Sequence, residues 1–170
     1  DITLAATAGA PNVIVFSGNR KGMPDGEGLK NCLTGLNKIK AYAEEKKIVV
    51  NLELLNSKVN HKDYMADHSA WGVELMKQVN SPYVKLLYDI YHMQIMEGDL
   101  ATTIKAKLPL IQHVQIADNP GRNEPGTGEM NYPFIFKHLD AIGYQGWVGC
   151  EYKPKTTTLE GLGWLKTLTR

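Results

Sequence analysis

The sequence lacks most features that mark a specialised protein class. It has only two cysteines, Cys32 and Cys150, with no Cys-x-x-Cys and no Cys/His cluster around them. That argues against a disulfide scaffold and a thiolate zinc site, and assigns both residues to a core. Charge of one sign is also lacking, because 19 Lys+Arg face 18 Asp+Glu. A protein that grips nucleic acid by its phosphates needs a basic excess, so no nucleic-acid partner is expected. No apolar run nears the roughly 20 residues of a membrane span, so no membrane partner is expected either. Pro- or Ser-rich linkers and low-complexity stretches are missing. What is present, 43% hydrophobic and 22% charged residues in a chain of 170, is ordinary globular usage with enough length to bury a core. Residues 1–170 are read as a single domain. The chain opens on Asp1. A cytoplasmic location is the default expectation, with a signal segment before Asp1 neither seen nor ruled out.

Short apolar runs rich in β-branched residues alternate with longer amphipathic ones. The short runs are 13–16, 48–52, 84–88, 111–116 and 147–150. Their nearly continuous apolar character suits strands buried on both faces of a parallel sheet. Between them, Leu29, Leu33, Leu36, Ile39 and Ala43 recur at spacings of three and four, which predicts a helix over 27–47. Further helices are predicted over 69–79, from a cap at Asp99 to Pro109, from Pro133 to Gly143, and over 159–168; residues 2–9 read as the tail of another. Strict alternation of this kind implies right-handed βαβ crossovers, an α/β fold with a parallel sheet.

Four strands carry an acid or amide at or just past the apolar run: Glu53, Asp89, Gln115 and Glu151. They are spaced by 36, 26 and 36 residues, about one βα unit each. Equivalent positions on neighbouring parallel strands lie at one end of a sheet, so the four oxygen donors can converge. Each alone also reads as a helix cap or a loop turn; four in register are harder to explain that way. Such a set suits a hard divalent cation, Mg²⁺ or Mn²⁺. Two glutamates on different strands also suit proton movement between adjacent carbons of a hydroxycarbonyl compound. One removes a proton beside the carbonyl, the other returns it, and a metal stabilises the enediolate between. Glu53 and Glu151 take those catalytic roles. His92, in a loop past its strand, is a candidate for hydrogen bonding a substrate oxygen. Arg122, in a Gly-containing loop, is a candidate for holding a substrate carboxylate. Alternatively, both are surface residues. His113 is assigned to the core, and His61, His68 and His138 to surface or packing. The segment 124–129 has no phosphate-loop pattern.

The runs ELLNSK (53–58), LLYDIYHMQ (86–94), HVQIADNPGRNEPGTGEMNYP (113–133) and GYQGWVGCEYKP (143–154) resemble the hydroxypyruvate isomerase family of the xylose-isomerase-like TIM-barrel superfamily. The resemblance covers nearly the whole chain from about Pro11 onward. It implies metal ligation by Glu53, Asp89, Gln115 and Glu151, proton transfer by Glu53 and Glu151, and substrate contacts from His92 and Arg122. Many relatives carry His where this chain has Gln115, and an amide oxygen tilts the site toward Mg²⁺ or Mn²⁺ and away from zinc. The implied fold is a (β/α)8 barrel, which needs eight strands and typically about 250 residues. Only five strands are legible here. They would be the fourth to the eighth of an incomplete barrel lacking its N-terminal part, completed by a complementing chain or a homo-oligomer. An open doubly wound sheet ranks second. The expected activity is isomerisation of hydroxypyruvate to tartronate semialdehyde. The alternatives are a ketose 3-epimerase or other keto-sugar isomerase, and a catalytically inactive barrel fragment.

Overall fold

The computed structural model describes residues 1–168. Five parallel strands form one sheet: β1 (Asn12–Val15), β2 (Val49–Glu53), β3 (Val84–Asp89), β4 (Ile111–Ile116) and β5 (Trp147–Cys150). Their spatial order is their sequence order. A doubly wound sheet reverses its strand order at a switch point. No reversal occurs here, so the second-ranked reading is overturned. With right-handed crossovers, sequential order puts every connecting helix on the same face and curls the sheet into an arc of a barrel.

Alternation along the strands separates the two faces. Val50, Leu52, Val84, Leu86, Tyr88, Val114 and Ile116 point outward into the helices and share one core with Leu36, Ala43, Met76, Val79, Ile104, Ile135 and Leu139. The inward positions are Asn51, Glu53, Leu87, Asp89, His113 and Gln115, mostly polar and mostly buried. At the two edges of the arc, Phe16 and Trp147 are left 62% and 65% exposed.

The helices follow the sequence pattern closely, with informative exceptions. The first is α1 (Ile2–Ala8), and α2 (Asp25–Lys46) ends on Lys47 in the left-handed region at φ 56°. Next, α3 (Ser69–Val79) has the predicted bounds, and Val73, Leu75, Met76 and Val79 face the core. A short helix, α4 (Ile90–Met96), starts at once after β3. The loop expected around His92 is therefore helical; seven residues are too few to show a helical period. Asp99 precedes α5 (Leu100–Lys107), but its side chain makes no capping bond. Asn131 caps α6 (Tyr132–Ala141) by accepting from the Phe134 N–H at 3.2 Å. The single last helix expected over 159–168 is two short ones, α7 (Thr158–Gly161) and α8 (Leu165–Leu168). Gly161 and Gly163 lie at the break and oppose continuation. The cysteines also differ from expectation. Cys32 is half-buried and Cys150 exposed, since β5 is an edge strand. No helix among the described residues is long and apolar enough to cross a membrane.

Candidate active site

The site lies at the C-terminal ends of β2, β3 and β4. Glu53 is the last residue of β2 and Asp89 the last of β3, and Asp89 pairs in register with Gln115 on β4. All three are buried. The amide atom of Gln115 that faces the carboxylates lies 2.8 Å from one Glu53 oxygen and 3.3 Å from Asp89 Oδ2. With the amide oxygen there, three oxygens meet, an arrangement that a bound cation or a proton kept on a carboxyl holds together. With the NH2 there, the amide donates to both acids instead.

The acids feel this crowding. Burial, then the charges of Asp89 and Glu151, push Glu53 up to about 8, against a smaller downward pull from Arg122. Burial also pushes Asp89 up to about 7, opposed by the His92 backbone N–H. That N–H donates to Asp89 Oδ1 at 3.1 Å and starts α4, so His92 is a helix residue rather than a loop residue. The imidazole is fully buried, and its Nε2 lies 3.8 Å from Asp89 Oδ2. Burial and the nearby Arg122 lower it to about 3, so the ring is neutral. One ligand atom each from Glu53, Asp89 and His92 lie within 4.8 Å of one another. Hard oxygen donors with raised carboxyl pKa values together fit a divalent cation.

The other two predicted residues form a second pair at the rim. Arg122 donates to Glu151 Oε2 at 2.5 Å. Its guanidinium sits 5.4 Å from the centre of the Tyr91 ring. Glu151 follows β5 and its side chain is 52% exposed, so it stands near the buried acids without joining them. Arg122 itself is at φ 56° in the loop after β4. Asp118 builds that loop. Its buried carboxylate accepts from the backbone N–H groups of Asn119, Gly126, Thr127 and Met130. Gly128 is required there, because a side chain would strike the Asn119 carbonyl.

Sequence reasoning missed Asn51 and Asn56 and left His61 and His113 out of the site. Asn51 lies two positions before Glu53 on the same face, fully buried, with neither amide atom paired among the described residues. An Asn inside an apolar strand was the available signal. Asn56 is fully buried and contacts His92. His61, assigned to surface or packing, has its ring 5.1 Å from that of His92, and its Nε2 has no partner among the described residues. His113, assigned to the core, faces inward, and its Nδ1 likewise has no partner among the described residues. His68 and His138 pair with Asp67 and with the Ala101 carbonyl, as packing residues do.

This architecture is shared with known proteins. Residues 1–168 match the family described as Xylose isomerase-like TIM barrel. The chain is 46% identical over 127 residues to hydroxypyruvate isomerase of Escherichia coli K12, covering 73% of this chain and 49% of that one. It is 40% identical over 129 residues to 2-oxo-tetronate isomerase of Cupriavidus necator, covering 74% and 50%. The chain therefore spans about half the length of these curated relatives. Among solved structures, one titled AP endonuclease, family 2, from Brucella melitensis superposes with TM-score 0.89 at 36% identity, covering 97% of this chain and 65% of that one. The 3-keto-D-glucoside 4-epimerase of E. coli gives 0.83 at 26%, covering 98% and 67%. By sequence and by fold, the chain belongs to the xylose isomerase-like TIM barrel family.

Proposed function

We propose that the protein is a metal-dependent isomerase that moves a proton between adjacent carbons of a small hydroxycarbonyl substrate, hydroxypyruvate to tartronate semialdehyde. The observation that carries this is the buried convergence of the Glu53 and Asp89 carboxylates with the Gln115 amide and the His92 ring at one end of the arc. Glu53, Asp89, Gln115 and Glu151 would hold the cation, with Mg²⁺ or Mn²⁺ suited to these donors. Bound there, the cation supplies Lewis-acid stabilisation of the enediolate. Glu53 and Glu151 handle the carbon-bound proton, one taking it from C3 and the other delivering one to C2. His92 binds a substrate oxygen. Arg122 holds the substrate carboxylate in exchange for its present partner, Glu151. The two curated isomerases support the reaction type.

Replacing Glu53 or Glu151 by Gln and following solvent deuterium into the substrate tests the assignment; undiminished exchange refutes it. A second reading, a ketose 3-epimerase or other keto-sugar isomerase using the same residues, is favoured by the likeness to the 4-epimerase. It gives Arg122 no carboxylate to bind, so Arg122→Ala separates the two. A third, an inactive fragment, is favoured by the open arc with its exposed Phe16 and Trp147; failure to bind Mn²⁺ supports it. The endonuclease title belongs to the Brucella protein. Near-balanced charge here gives no basic excess for a phosphate backbone.

A further inference from the structure

We propose that Asn56 sets the tautomer of His92, keeping Nδ1 bare and the proton on Nε2, so that His92 is a hydrogen-bond donor and not a metal ligand. The constraint begins at the turn after β2. Asn56 Oδ1 accepts from the backbone N–H groups of Val59 at 3.0 Å and Asn60 at 2.8 Å. These two donors fix the amide, because flipping it would set an NH2 against two N–H groups. The Asn56 NH2 must then be the group facing His92 Nδ1, at 2.6 Å, and it donates its other hydrogen to Asn60 Oδ1 at 2.8 Å. Tyr91 holds Asn60 Oδ1 from the other side, donating its hydroxyl at 3.0 Å.

An NH2 group donates only. Nδ1 therefore offers it a lone pair, which leaves the single proton of a neutral imidazole on Nε2. A protonated ring would place N–H against N–H. Nε2 is buried and has no hydrogen-bond partner among the described residues; Asp89 Oδ2, at 3.8 Å, is too far. A nitrogen that carries a proton has no lone pair for a cation. The carboxylates and Gln115 then form the donor set without His92, and the Nε2–H remains an unused donor beside them. On the isomerase reading above, which this deepens, it donates to the substrate carbonyl or hydroxyl oxygen. Asn56 is a positioning residue that acts through His92.

Long-range ¹H–¹⁵N correlation spectra of the labelled chain read the tautomer directly, with His92 assigned by its loss in His92→Gln. The expected pattern is a bare Nδ1 and a protonated Nε2, unchanged on saturation with Mg²⁺. Asn56→Asp replaces the donor by an acceptor and moves a proton to Nδ1. In the active enzyme it lowers kcat roughly 100-fold, the order lost with one donor to an oxygen that gains charge in the reaction. A protonated Nδ1 in the unmodified chain, loss of the Nε2 proton on adding Mg²⁺, or an unaltered pattern in Asn56→Asp would each overturn the proposal. If Asn56→Asp does not fold, the unmodified spectra with and without Mg²⁺ decide. If hydroxypyruvate is not turned over while the pattern holds, the functional reading fails and the tautomer assignment stands.

Discussion

Cation binding at this site must expel protons, and the number follows from the buried acids. Glu53 sits at about 8 and Asp89 at about 7. At pH 7 a carboxyl of the first kind is about nine-tenths protonated and one of the second about half. A divalent cation takes both ionised. Mn²⁺ binding at pH 7 should therefore release roughly 1.4 protons, approaching two near pH 6 and vanishing above about pH 9. The two acids are close enough to share their protons, so these numbers belong to the pair. Affinity rises with pH by the same count, from roughly a hundredfold per pH unit near pH 6 to about nothing above pH 9. Calorimetric titrations in two buffers of different ionisation enthalpy, at one pH, measure the release. Glu53→Gln should remove close to one proton from it and weaken binding. Release near zero at pH 7, with binding intact, would show that these acids are already ionised or that the cation binds elsewhere.

Other outcomes follow from the same geometry. Without metal, stability should fall as pH rises from about 4 to 8. The folded state keeps protons on Glu53 and Asp89 that the unfolded chain loses near 4.5 and 3.8. Urea titrations at pH 5 and 8 check this, and saturating Mn²⁺ should cancel the fall. Asp118→Ala strips four backbone N–H groups of one buried acceptor and should cost about 3 kcal/mol or more in the same assay. Gly128→Ala should disturb the same loop, and both should weaken binding of a carboxylate substrate. Arg122→Ala should raise KM for hydroxypyruvate far more than for a neutral keto-sugar. Leu75→Ala, at a fully buried position of α3, should cost about 2–5 kcal/mol without touching Mn²⁺ affinity.

Legibility in the sequence tracked how local the cause was. The five strands and the helix over 69–79 were readable because apolar runs and a three-to-four spacing are local patterns. The strand-end positions of Glu53, Asp89 and Gln115 were readable because each lies at the end of an apolar run about one βα unit from the next, 36 and 26 residues apart. The loop reading of His92 failed on a helix too short to show a period. His61 was dismissed for lacking a sequence neighbour at ligand spacing, yet its neighbour is His92, 31 positions on and adjacent only in space. Asn56 was missed for the same reason. Its importance lies in which of its atoms the Val59 and Asn60 N–H groups claim, and no spacing rule reports that. The break in the expected helix over 159–168 falls at Gly161 and Gly163, residues whose cost in a helix interior is local and readable.

The order of the strands sets how accurately the site can be built. Glu53, Asp89 and Gln115 sit on three consecutive strands, each hydrogen-bonded to the next. Adjacent strands are held about 4.8 Å apart by their ladders. The outermost of these three donors are therefore only two ladder steps apart. Ligands drawn from opposite walls of a barrel would collect the positional error of every strand between them. Here the tolerance chain is two links long. Distortion at the arc's open edges reaches β2 through one ladder and β4 through another, while β3 is shielded on both sides. Asp89, on that middle strand, is the reference point from which the other donors are measured.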